Sequence, residues 1–170
     1  MLRELHAELG IPGNYGLDGT RPAYEEASEL VDAGPNIVGH RQRLAPVPAA
    51  QWAAMQSAAA DAGVALLLVS GFRSIAYQAR LIRKKLNAGQ SLDDILAVIA
   101  APGFSEHHTG RAVDIATPGS RPLTAEFEDS AAFGWLTANA GRFGFGLSYP
   151  RDNPGGFAYE PWHWAWRDAD

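Results

Sequence analysis

The chain has 170 residues, a length that predicts one domain, since domains run to roughly 100–200 residues. Hydrophobic residues make up 46% and charged residues 19%, a globular composition that excludes disorder and a coiled coil. Fourteen basic against nineteen acidic residues leave a net charge of −5, which argues against a nucleic-acid partner, and the absence of cysteine excludes disulfides, a thiolate nucleophile and thiolate-bound metal.

The start, MLRELHAELG, has Leu2, Leu5 and Leu9 on one stripe and Gly10 as a stop, which predicts a helix over residues 1–9. From Ile11 to Pro48 prolines and glycines punctuate the text, predicting irregular chain with a turn of helix at Tyr24–Asp32. Gln51 to Ala62 is alanine-rich and helical, stopped by Gly63. The apolar run 64–69 predicts a buried strand and is far too short to cross a bilayer, which takes about 20 residues. Ser74 caps a helix carrying Ile75, Ala79, Ile82 and Leu86 inward, with Arg80, Arg83, Lys84 and Lys85 on a solvated face and Gly89 as terminator. Ser91 and Asp94 form a capping box for a helix through about Ala100. Arg111–Ala116 alternates as a strand, Phe127–Ala140 reads as helix, and Phe143–Tyr149 reads as a glycine-interrupted strand. The chain closes on Trp162-His163-Trp164-Ala165-Trp166. Strands and helices without a βαβ alternation predict an α+β fold with a mostly antiparallel sheet. No leader is visible, which predicts a cytoplasmic protein, or a periplasmic or extracellular one if a leader precedes this sequence.

Three of the five histidines sit beside acids, in Ser105-Glu106-His107-His108-Thr109-Gly110-Arg111-Ala112-Val113-Asp114 and in Glu160-Pro161-Trp162-His163. His6 and His40 read as surface groups. In the first cluster a histidine and Asp114 can share an ion across the Gly110 turn, and spacing does not choose between His107 and His108. In the second, strict alternation would put Glu160 opposite His163, but Pro161 breaks the pleat and can swing the carboxylate to the histidine side. Two histidines, an aspartate and a nearby glutamate fit a catalytic zinc site with an open fourth position.

The ordered trio Ser70-Gly71-Phe72-Arg73-Ser74 with Gln78, S-x-H-x-x-G-x-A-x-D and E-x-W-H resembles the VanY-type zinc D-Ala-D-Ala carboxypeptidases. They are part of a superfamily shared with lysostaphin-like endopeptidases and the hedgehog domain. The resemblance spans roughly Val64 to Trp166, and the first sixty residues carry none of it. With the length and the element reading above, it gives a single zinc peptidase domain over 1–170, residues 1–62 being an N-terminal helix, irregular wrap and helix before a catalytic core at 64–166. The implied fold is a small antiparallel sheet carrying a zinc groove, flanked by helices. It implies one zinc ion on His107, Asp114 and His163, Glu160 as catalytic base, and Arg73 meeting a substrate carboxylate or oxyanion. Gln78, Ser105, Tyr149 and Trp162 would bind substrate. Phe72 stands where tyrosine is frequent, and Gly146-Leu147-Ser148 replaces bulkier residues before Tyr149. The implied activity is release of C-terminal D-alanine from peptidoglycan stem peptides by a monomer. L,D-carboxypeptidase or D,D-dipeptidase activity, or a catalytically silent zinc module that binds peptide, are the alternatives.

Overall fold

The computed structural model describes residues 1–168. Its helices are α1 (Leu2–Leu9), α2 (Pro46–Asp61), α3 (Ile75–Asn87), α4 (Leu92–Val98) and α5 (Ala131–Asn139). Its strands are β1 (Val31–Pro35), β2 (Arg41–Leu44), β3 (Leu67–Ser70), β4 (Ala112–Ala116), β5 (Phe145–Leu147) and β6 (His163–Trp166). β1 and β2 form an antiparallel hairpin, and the other four make an antiparallel sheet in the order β3-β4-β6-β5. Among the described residues no helix is long and apolar enough to cross a membrane.

The central strands β4 and β6 divide two environments. Val113 pairs with Trp164, and both turn into a core shared with Trp52 and Met55 of α2 and Leu136 of α5. On the opposite face Asp114 pairs with His163, so period-two alternation delivers both polar side chains to one side of the sheet. A second apolar cluster packs Leu9 and Ile11 against Ala79, Ile82 and Ile95, fastening α1 to α3 and α4.

Local capping is where sequence and structure agree most closely. Ser74 accepts from Tyr77 N–H and Ser91 from Asp94 N–H at the starts of α3 and α4. Elsewhere the structure corrects the expectations. No helix forms at Tyr24–Asp32, because Tyr24 N–H donates to Gly103 O (2.7 Å) and Ala27 N–H to His108 O (2.8 Å), spending the backbone on a distant loop. The β1–β2 hairpin was not expected; at its tip the Asn36 side chain accepts from Val38 and His40 N–H, and Gly39 takes φ 85°. Helix α2 starts at Pro46, five residues before Gln51, since prolines in a first turn lack only N–H groups that the helix cannot use. β3 begins at Leu67 rather than Val64, and its outward residue Leu67 is 37% exposed while Leu66 and Leu68 are buried. The expected helix over Phe127–Ala140 splits at the Ser130 cap into a 3-10 turn (Ala125–Asp129) and α5. The strand expected over Phe143–Tyr149 shortens to Phe145–Leu147, because residues 140–143 form another 3-10 turn.

Candidate metal centre

The loop before β4 sets the geometry. Ser105 caps a 3-10 turn over Glu106–Thr109, accepting from His107 N–H, and Gly110 ends it in the left-handed region at φ 67°. A Cβ on Gly110 would lie 2.8 Å from Ala45 N, so this reversal accepts glycine alone. Gly110→Ala is expected to cost about 1–3 kcal/mol of unfolding free energy through backbone strain, readable by urea denaturation; an unchanged midpoint would refute it.

The turn brings His107 back over the β4 face. His107 Nε2 and His163 Nδ1 each lie 3.2 Å from Asp114 Oδ1, and all three side chains are almost completely buried. The outer nitrogen of each ring is committed. His107 Nδ1–H donates to Gly71 O (2.7 Å), and His163 Nε2–H donates to Glu106 Oε2 (2.8 Å). With those tautomers set, two nitrogen lone pairs and a carboxylate oxygen converge, all within 4.8 Å of one another. Such a triad repels itself unless a cation or proton sits among its members, and its donor set suits zinc with a fourth position open. These residues therefore fit the metal that the sequence pattern implies. Without it the cluster captures a proton. Burial opposes charge on His163, but hydrogen bonds to Asp114 and Glu106 outweigh it and push the pKa up to about 10. Burial and the nearby Arg73 charge bring His107 down to about 4.

Two glutamates flank His163 on opposite edges. Glu160 Oε2 is 3.7 Å from Nδ1, the inward nitrogen, so the break at Pro161 does carry this carboxylate to the histidine side. Its backbone is tied down by Glu160 N–H to Tyr149 O (3.0 Å). Burial raises its pKa to about 7 against the pull of the His163 charge. Glu106 faces the outer nitrogen. Burial would raise its pKa, but the hydrogen bond and charge of His163 prevail and lower it to about 2.

A groove of about 920 Å³ opens beside this cluster and is lined by Arg73, Gln78, Ser105, Tyr149, Glu160 and Trp162 among others. Gln78 is 1% exposed; its amide NH2 donates to Ala100 O (2.8 Å), which leaves Oε1 as a buried acceptor without a partner. Arg73 Nε is likewise buried and unpartnered, and among the described residues no carboxylate lies within 4.0 Å of its guanidinium. The Tyr149 ring sits 4.7 Å from that of His163, and Trp162 is half-buried against the core.

The residues matched by the family profile described as VanY, D-alanyl-D-alanine carboxypeptidase, are 41–169. The chain belongs to the VanY family. It is 33% identical over 129 residues to the bifunctional D-Ala-D-Ala dipeptidase and carboxypeptidase VanXYC of Enterococcus gallinarum, covering 73% of this chain and 67% of that one. It is 32% identical over 112 residues to a D-alanyl-D-alanine carboxypeptidase of Enterococcus faecalis, covering 60% of this chain but only 40% of that one. The chain thus spans about two fifths of the length of that longer relative. Among solved structures, the LdcB LD-carboxypeptidase superposes with a TM-score of 0.73 at 29% identity, over 85% of this chain and 71% of that one. A mutant of the D,D-pentapeptidase VanY from a VanB-type resistance cassette, solved with Zn(II), gives 0.64 at 28% identity over 86% and 82%. The VanY profile begins at residue 41, inside the segment expected to carry none of the resemblance.

Several residues at the VanY-family site had no expected role. Glu106 lay inside the motif, yet its only signal was an acid beside a histidine. His108 is fully buried, donating from Nδ1 to Arg73 O (2.6 Å) and accepting at Nε2 from Gly103 N–H (3.0 Å). His6, expected at the surface, is half-buried, hydrogen-bonded to Pro102 O (2.7 Å) and packed near Tyr15 and Phe104; His40 is exposed as expected. From the N-terminal wrap, Glu26 accepts from Ile75 N–H at the start of α3 (2.5 Å), and Tyr24 reaches Glu106.

Proposed function

We propose that this chain is a zinc-dependent D,D-carboxypeptidase that releases C-terminal D-alanine from peptidoglycan stem peptides. The observation that carries this reading is Arg73, whose buried and unpartnered Nε lines the same groove as the His107–Asp114–His163 cluster. A guanidinium without an internal counter-ion, beside a hydrolytic centre, suits the free carboxylate that distinguishes a peptide end from a peptide interior. The N-terminal wrap supplies Tyr24 and Glu26 to the core, which supports one domain over 1–170.

His107, Asp114 and His163 would hold the zinc. When bound, zinc supplies Lewis-acid polarisation of the scissile carbonyl and lowers the pKa of water toward about 7. Glu160 accepts the proton of the attacking water and then donates it to the departing amine of D-alanine, leaving the shortened peptide with a new carboxylate. Arg73 orients the substrate by its terminal carboxylate, or stabilises the oxyanion as charge develops on the carbonyl oxygen. Gln78 Oε1 offers the acceptor that a substrate N–H requires, while the Ser105 hydroxyl proton is free to donate into the groove. Tyr149 and Trp162 provide the walls.

A second reading, an L,D-carboxypeptidase, is favoured by the likeness to LdcB, and the relative VanXYC is named for dipeptidase activity as well. Zinc-loaded protein should be incubated with pentapeptide, tetrapeptide and free D-Ala-D-Ala, and the products weighed. Loss of one alanine from the pentapeptide is the expected result. Cleavage of the tetrapeptide alone would replace D,D with L,D specificity, cleavage of D-Ala-D-Ala alone would indicate a dipeptidase, and binding without cleavage would indicate a silent module. Metal analysis should find one zinc per chain, most of it lost in His107→Ala or His163→Ala and retained in His108→Ala; a His108→Ala protein that keeps its fold by circular dichroism but holds no zinc would reverse the choice of ligand.

A further inference from the structure

We infer that Glu106 is the positioning residue of this centre: its carboxylate holds Nε2–H of His163, fixes which ring nitrogen faces inward, and is itself held by Ser148 and the N-terminal residue Tyr24. The inference rests on the metal reading above. His163 is 3% exposed, so solvent cannot choose its tautomer, and the choice falls to whatever accepts from its outer nitrogen. Glu106 Oε2 does so at 2.8 Å. The same oxygen accepts from Ser148 Oγ–H at 2.6 Å, and Oε1 lies 3.5 Å from the Tyr24 hydroxyl. The Arg167 guanidinium approaches Oε1 at 4.0 Å.

This geometry separates the two glutamates by role. A proton acceptor for the reaction must sit on the inward edge of His163, where Glu160 lies. Glu106 occupies the outward edge with both oxygens engaged, so it is no substitute base. What it does instead is electronic and steric. A carboxylate on the far N–H strengthens the donor power of the inward nitrogen and prevents the ring from flipping. Gly71 O performs the corresponding task for His107, but as a neutral acceptor. The anionic support is therefore confined to His163, on the central strand β6. Ser148 directly follows the edge strand β5 (Phe145–Leu147), so the hydroxyl bracing Glu106 comes from beside the strand that carries His163. Tyr24 lies outside the matched residues 41–169, and its backbone is fastened to Gly103 O (2.7 Å). The wrap thereby becomes part of the metal centre.

Zinc affinity measured by chelator competition tests this without turnover. Glu106→Ala is expected to weaken zinc binding ~10–100-fold, with Glu106→Gln in between because it restores an acceptor without the charge. Ser148→Ala, a change at a half-buried side chain that leaves Glu106 in place, should weaken binding less, and its expected effect does not depend on the folding of the Glu106 variants. In zinc-loaded wild type, nitrogen-15 NMR should report His163 protonated at Nε2, and that proton should exchange faster in Glu106→Ala and Glu106→Gln. Zinc affinity and Nε2–H exchange unchanged in Glu106→Gln would overturn the inference while leaving the metal reading intact. A wild type that binds no zinc would remove both.

Discussion

Glu160→Gln protein is expected to keep its fold and its zinc while losing ~10²–10⁴-fold in kcat, the usual contribution of a positioned general base. The amide preserves shape and removes only the capacity to take a proton. Burial is the main reason that Glu160 is held up to about 7, and a cation in the adjacent cluster would lower that value. Since the base must be ionised, kcat/KM should fall as pH drops through an acid limb centred at or below about 7, and the limb should vanish in the variant. The same shift has a thermodynamic counterpart. A folded-state pKa above the unfolded one stabilises the native state below the unfolded pKa of 4.5, and that contribution is lost as pH rises through about 7. Zinc-free Glu160→Gln should therefore melt at a higher temperature than zinc-free wild type above pH 7. Turnover within a few-fold of wild type would remove Glu160 from the mechanism.

Amidating the C-terminus of the best peptide should abolish cleavage by the wild type. The free carboxylate is the only feature that tells an exopeptidase it has reached an end, and Arg73, which lines the groove with Glu160 and His163, has a buried Nε without a partner. An exposed arginine paired with an acid is worth only ~0–1 kcal/mol, but Arg73 has no such partner among the described residues. Arg73→Lys should also be impaired on the free acid, because an ammonium cannot reproduce the planar two-point contact. Wild-type protein that cuts the amidated peptide as fast as the free acid would make this an endopeptidase, with Arg73 left to the oxyanion.

The parts of the fold legible in the sequence are those decided by neighbours. Ser74 and Ser91 cap their helices through bonds to residues three positions on, and Gly10 ends α1 by its own φ of 76°. Asp114 and His163 share a face because strand period is two. The parts that were not legible depend on partners far along the chain. Tyr24–Asp32 reads as a turn of helix, yet the amides of Tyr24 and Ala27 answer the distant carbonyls of Gly103 and His108. Pro46 and Pro48 read as breakers, although a proline's meaning inverts when it falls in the first turn of a helix. Glu106 and His108 look interchangeable with any acid and any histidine until the fold sets one against His163 and the other against Arg73.

The loop carrying Arg73 and the loop carrying His107 are stitched together three times: His107 Nδ1–H to Gly71 O, Arg73 N–H to His107 O (3.1 Å), and His108 Nδ1–H to Arg73 O. The β1–β2 hairpin clamps the first of these loops from behind, with Phe72 N–H donating to Arg43 O (2.8 Å) and Gly71 N–H to Gln42 Oε1 (3.1 Å). Ordering either loop therefore prepays part of the cost of ordering the other. In equilibrium terms, zinc held by His107 and a carboxylate ligand held by Arg73 are expected to act as heterotropic effectors of one another. A peptide product captured by Arg73 should tighten zinc by the same factor that zinc tightens the peptide, as reciprocity of coupling requires.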